Sequence, residues 1–114
     1  MQDKLRLFAR ARDWEQFHSP KNLAMALTGE VGELVAHFQW LTESASATVM
    51  ADRAIAQNIR YEMADVLAYL LRLADVLGVD LVAALTEKMD ANERRYPVDR
   101  AKGNARKYTE LQRD

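Results

Sequence analysis

"LTGEVGELVAHFQW", residues 27–40, spaces its apolar residues three and four apart, as the buried side of an α-helix does, yet carries Glu30 and Glu33 within that pattern. At about 100° per residue, Leu23, Leu27, Val31, Leu34, Phe38 and Leu41 form one stripe, with Glu30 at its edge and Glu33 about 60° further round. His37 falls between the two acids, and Trp40 completes the flank. "YEMADVLAYLLRL", residues 61–73, repeats this construction. Glu62 lies at the edge of an Ile55, Ile59, Met63, Val66, Leu70, Leu73, Leu77 stripe, Asp65 lies beyond it, Tyr69 between them and Arg72 at the end. Taken singly, either pair reads as surface acids beside a core. Matched flanks on two helices read differently: facing each other, they crowd carboxylates into a half-buried groove, where repulsion and desolvation call for a counter-charge.

A hard divalent cation meets that need. An all-oxygen ligand set suits Mg²⁺, with Mn²⁺ able to substitute, better than zinc. Di-iron carboxylate bundles also place acids inside helices, but they need Glu-x-x-His on two helices. Here His37 follows Glu33 by four residues, and Tyr69 stands at the matching position of the second flank.

The rest of the composition sets the frame. The 114 residues suit one domain, 49% are hydrophobic, and four glycines and two prolines favour long helices over many short strands. The expected class is therefore all-α. Sixteen basic against seventeen acidic residues leave a formal charge of −1. That balance predicts no attraction to nucleic acid or to an anionic membrane. Without cysteine, thiolate catalysis and Cys-ligated zinc are excluded. No apolar window is long enough to span a bilayer, and the charged start does not resemble a signal peptide, so a cytoplasmic protein is expected.

Local signals divide the chain. A first helix is expected from about Asp3 to Glu15. Ser19 and Pro20 open a second that runs through Leu41. The small, polar "TESASATVMAD" reads as a connector turning into a third helix between Thr48 and Asp52. Gly78 ends that helix in a left-handed cap, Asp80 caps a fourth, and Pro97 stops it. The expected protomer is a four-helix bundle over residues 1–97, followed by a polar tail, 98–114, with a lid as its alternative role. The third helix is apolar around much of its circumference, so association through helices two and three, as a dimer or tetramer, is expected.

"GEVGEL" with "EMADVLAYLL" resembles the E-x-x-E, E-x-x-D signature of the MazG-like all-α nucleoside triphosphate pyrophosphohydrolases. "RDWEQFHSPKNLAMALTGEVGELVAHFQW", "KMDANERRYP" and "KYTEL" are similar to its dCTP pyrophosphatase branch. The resemblance implies Mg²⁺-dependent hydrolysis of a triphosphate, dCTP or a modified dCTP, to monophosphate and pyrophosphate in nucleotide-pool sanitation, by a helical homo-oligomer. It implies Glu30, Glu33, Glu62 and Asp65 as metal ligands and catalytic carboxylates, with Glu33 favoured as proton acceptor. It further implies Trp14, Gln16, Phe17, His18, Trp40, Tyr69, Lys88, Asn92 and Arg95 as substrate contacts. Some of those relatives carry a histidine in the first helix, whereas "DKLRLFARA" has none. A dUTP or broad triphosphate preference, and a non-enzymatic helical interaction module, are the competing readings.

Overall fold

The computed structural model describes residues 1–111, which contain helices and no strand. Its helices are α1 (Gln2–Ala11), α2 (Pro20–Ala36), α3 (Glu43–Ala47), α4 (Arg53–Leu77), α5 (Leu81–Arg95), α6 (Val98–Ala101) and α7 (Tyr108–Leu111). Single 3₁₀ turns at Glu15–Phe17 and Val49–Ala51 precede α2 and α4. The chain forms two compact units, Met1–Val79 and Asp80–Asp114. Gln112, Arg113 and Asp114, the end of the expected tail, lie outside the described residues.

Caps set the boundaries, at Ser19 and Asp80 as expected and at Asp52 at the end of the expected interval. Ser19 Oγ accepts from Asn22 N, Asp52 Oδ1 from Ala54 N and Ile55 N, and Asp80 Oδ1 from Ala83 N. Each oxygen satisfies amides that a helix start leaves without an internal partner. Gly78, at φ 69°, closes α4, and Val79 N reaches back to Ala74 O at 2.8 Å. A side chain there would carry the steric penalty of the left-handed region.

Two helix ends differ from expectation. α1 stops at Ala11, because Asp13 adopts φ 55° and turns the chain into the 3₁₀ turn. α2 stops at Ala36, short of Leu41. Phe38 N and Gln39 N both bond Val35 O, and Leu41 N bonds Phe38 O, so the chain tightens into turns before Thr42 caps α3. Apolar spacing continues through Phe38 and Leu41, but it does not require helix there. The second unit contains α5 and the short α6 and α7 in the expected tail.

Within the first unit, α4 packs along α2 and against α1. The packed lines are rotated from the expected stripes. On α4 the covered residues run Ile59, Glu62, Val66, Tyr69, Leu73, while Ile55, Met63, Leu70 and Leu77 remain exposed. On α2 the line is Leu23, Leu27, Glu30, Leu34, with His37 just beyond the helix end, and Val31 faces outward. Both lines keep the three- and four-residue step of a packed helix side. Glu30 and Glu62 therefore sit within the α2–α4 seam and not at its edge.

Candidate active site

One carboxylate oxygen each from Glu30, Glu62 and Asp65 lies within 4.8 Å of the others. Glu30 and Glu62 are half-buried and Asp65 is exposed. Oε2 of Glu30 and Oε2 of Glu62 are buried without a hydrogen-bond partner, a costly state for an ionised oxygen. Burial, followed by the neighbouring acids, raises the proton affinity of Glu30. Burial also leads for Glu62, reinforced by Glu33 and Asp65 and opposed by His37. Glu33 adds to the raised proton affinity of both glutamates, so the four predicted acids form one electrostatic group. His37 Nε2 stands 3.9 Å from Glu62 Oε1, a reach that offers little neutralisation even with the imidazole protonated.

These residues fit a hard cation. The donors are all oxygen, two of them are buried and unpartnered, and their spacing leaves room for an ion between them. Glu30, Glu62 and Asp65 would be its nearest ligands, with Glu33 alongside.

Asp65 also belongs to a second feature, an apolar pocket of about 200 Å³. Its walls are Leu5, Phe8 and Ala9 of α1, Trp14 and His18 around the 3₁₀ turn, and Asp65, Ala68, Tyr69 and Arg72 of α4. Drug-sized ligands occupy roughly 300–1,000 Å³, so this space suits a single ring. Trp14 is held in place: its ring meets Phe8 edge-on at 5.7 Å, and its amide bonds Ala9 O at 2.9 Å. Arg12 covers the face of Phe8 at 3.6 Å.

Of the expected substrate contacts, Trp14, His18 and Tyr69 meet at this pocket. Gln16 does not line it, and its amide bonds Asp13 O and Oδ2 at 2.9 and 3.1 Å. Phe17 is 60% exposed. Trp40 is 89% exposed and lies in the turns that follow α2. Lys88, Asn92 and Arg95 lie on α5 of the second unit. Sequence reasoning did not assign Leu5 and Phe8 to the pocket, although their three-residue spacing marks an inward side of α1. It also missed the bond from Arg72 to His18, for which the local sequence contains no signal.

An all-helical unit with carboxylates E-x-x-E on α2 and E-x-x-D on α4 describes a protein class, and residues 26–111 match the MazG-like family. The chain belongs to that family. More particularly, it is similar to dCTP pyrophosphatase 1 of Homo sapiens, at 49% identity over 104 residues, covering 91% of this chain and 61% of that protein. The Mus musculus protein of the same name is 50% identical over 109 residues, with 93% and 62% covered. The chain thus spans about 62% of the length of these curated relatives. A solved pyrophosphatase from Archaeoglobus fulgidus superposes with a TM-score of 0.78 at 42% identity, covering 83% of this chain and 87% of that one.

Proposed function

We propose that the chain hydrolyses a nucleoside triphosphate, dCTP or a modified dCTP, to the monophosphate and pyrophosphate with Mg²⁺, for which Mn²⁺ can substitute. The supporting observation is the pair of buried, unpartnered oxygens on Glu30 and Glu62, gathered with Asp65 next to a pocket of single-ring size. The nucleotide comes from the relatives, which are named dCTP pyrophosphatases.

Glu30, Glu33, Glu62 and Asp65 would hold the cation. When bound, it supplies neutralisation of phosphate oxygens and a more acidic water. Glu33, which acts electrostatically on both Glu30 and Glu62, is the favoured acceptor for the proton of the attacking water. Asp65 touches both cluster and pocket, so a nucleotide with its ring against Trp14 would direct its phosphates toward the acids. Trp14 would stack on the base, with His18 and Tyr69 at its edges. Gln16, Phe17, Trp40, Lys88, Asn92 and Arg95 are proposed as further contacts in the assembled protein.

The assembly we propose is a homo-oligomer, dimer or tetramer, of four-helix protomers in which α5 is the fourth helix. It is supported by the exposed apolar side of α4: Met63 is 57% exposed, Leu67 53% and Ile55 37%. No described helix is long and apolar enough to cross a membrane. A cytoplasmic protein with no nucleic-acid partner is the matching proposal.

Purified chain with Mg²⁺ and a panel of deoxynucleoside triphosphates tests the reading. Pyrophosphate release, greatest with dCTP or a modified dCTP, is expected. Orthophosphate alone, or no turnover of any triphosphate, would overturn it.

A further inference from the structure

Beside the acidic cluster, the first unit contains a part-buried polar chain that the phosphate chemistry does not use. Arg6 on α1 grips Asp75 with two bonds, Nε to Oδ2 at 2.9 Å and Nη2 to Oδ1 at 2.8 Å. Arg72, one turn earlier on α4 than Asp75, donates from Nη1 to the same Oδ2 at 2.8 Å. Its Nε donates to Nδ1 of His18 at 3.1 Å. The chain ties α1, the segment before α2, and α4 together, and Arg72 within it is only 8% exposed.

A guanidinium has donors and no acceptor. Its Nε–H can end on His18 Nδ1 only if that nitrogen keeps its lone pair, which leaves a neutral imidazole with its proton on Nε2. Burial and the charge of Arg72 both disfavour the imidazolium, against the pull of Glu15 on the same turn. The ring lines the pocket with Trp14, Tyr69 and Asp65. Nε2–H is then the donor that His18 has left for a bound molecule.

We propose that Arg72, oriented by Asp75 and Arg6, is a positioning residue that fixes the tautomer and orientation of His18, so that the pocket meets its ligand with a hydrogen-bond donor. The ligand class selected is a pyrimidine ring offering a carbonyl or an unprotonated ring nitrogen at that edge, such as O2 or N3 of cytosine. The nucleotide reading above supplies the ligand, whereas the tautomer assignment stands without it. Asp75 balances the buried charge of Arg72 and sets the direction of its fork, and Arg6 holds Asp75 from the far side.

Arg72→Met tests the proposal, because Asp75 keeps its paired bonds to Arg6 and the helix keeps a side chain of similar length. Arg72→Lys, which retains the charge but not the planar fork, is the second variant. With retained helicity checked by circular dichroism, nitrogen NMR of the imidazole is read on the free protein, the signals being assigned with His37→Gln. In the unsubstituted chain Nδ1 is expected to read as a pure acceptor and Nε2 as a pure N–H. In both Arg72 variants the two signals should move toward each other. The KM for dCTP should rise roughly 3- to 10-fold with kcat little changed, the size expected for one lost hydrogen bond. In a His18→Gln background, where an amide donor replaces Nε2–H, adding Arg72→Met should shift KM by less than about 2-fold. Unmoved nitrogen signals, or a fall in kcat with KM constant, would overturn the positioning role. Absence of turnover with the NMR change present would instead overturn the enzymatic reading alone.

Discussion

Glu30 and Glu62 approach each other across the α2–α4 seam, one oxygen of each within 4.8 Å, and both keep Oε2 buried and unpartnered. In the chain without a cation this arrangement costs stability at neutral pH, since ionising both groups pays desolvation and mutual repulsion.

The first prediction concerns pH. The folded state raises the proton affinity of both glutamates above the ordinary value of 4.5. Between that value and their raised folded values, the folded state binds more protons than the unfolded one, so their contribution favours folding at low pH and is lost as pH rises. With metal removed by chelator, Glu62→Gln should therefore melt higher than the unsubstituted chain at pH 7, and the difference should shrink toward pH 4.5. Differential scanning calorimetry on the two proteins across that range checks it.

Added Mg²⁺ should reverse the order. A cation bound by the folded state alone stabilises it by about 2.7 kcal/mol at a hundred times its Kd. The unsubstituted chain should gain that shift and Glu62→Gln should lose most of it. Pyrophosphate release by the variant should fall about 100- to 1,000-fold, the usual cost of removing one electrostatic stabiliser. Melting curves and a coupled pyrophosphate assay, each with and without Mg²⁺, read both effects.

Trp14→Ala removes the fixed aromatic wall of the pocket. Stacking on a base is worth roughly 1–3 kcal/mol, so affinity for dCMP should drop by about 5- to 150-fold. The Mg²⁺-induced melting shift should persist, because the acids lie on other elements. Isothermal calorimetry with dCMP, followed by a Mg²⁺ melt, separates the two.

At the other end of α4, Asp75 offsets the charge of two arginines. Hydrogen bonding to Arg6 leads in holding its carboxyl below the ordinary range, with Arg72 adding to it. This contribution is present above the unfolded value and is lost as pH falls through the folded one. Asp75→Asn should destabilise by about 3 kcal/mol, because Arg72 stays buried without its counter-ion. Arg6→Met should cost less, because Asp75 keeps Arg72. Urea unfolding at pH 7 ranks the two.

Leu67→Glu places a charge on the exposed apolar side of α4. Light scattering after size exclusion should show the assembly reduced to protomers, with helicity by circular dichroism largely kept.

The amino-acid order alone determined the helical class and the starts of α2 and α5, because a cap is a bond between neighbours in sequence, Ser19 to Asn22 and Asp80 to Ala83; it only bracketed the start of α4, which Asp52 caps. Spacing also put Glu30 with Glu33, and Glu62 with Asp65, on one flank of each helix, since it fixes direction around a helix. It did not locate the end of α2, whose apolar pattern outlasts its helix. Nor did it fix the rotation of α4, which is apolar nearly all round and so gives hydrophobic patterning no single side to choose. Packing against α1 and α2 made that choice, bringing Glu62 and Tyr69 inward and leaving Met63 and Leu70 outside. The contact between Arg72 and His18, 54 positions apart, has the same origin: only the docking of three separate elements could bring a guanidinium to an imidazole that the local sequence gives no reason to pair with it.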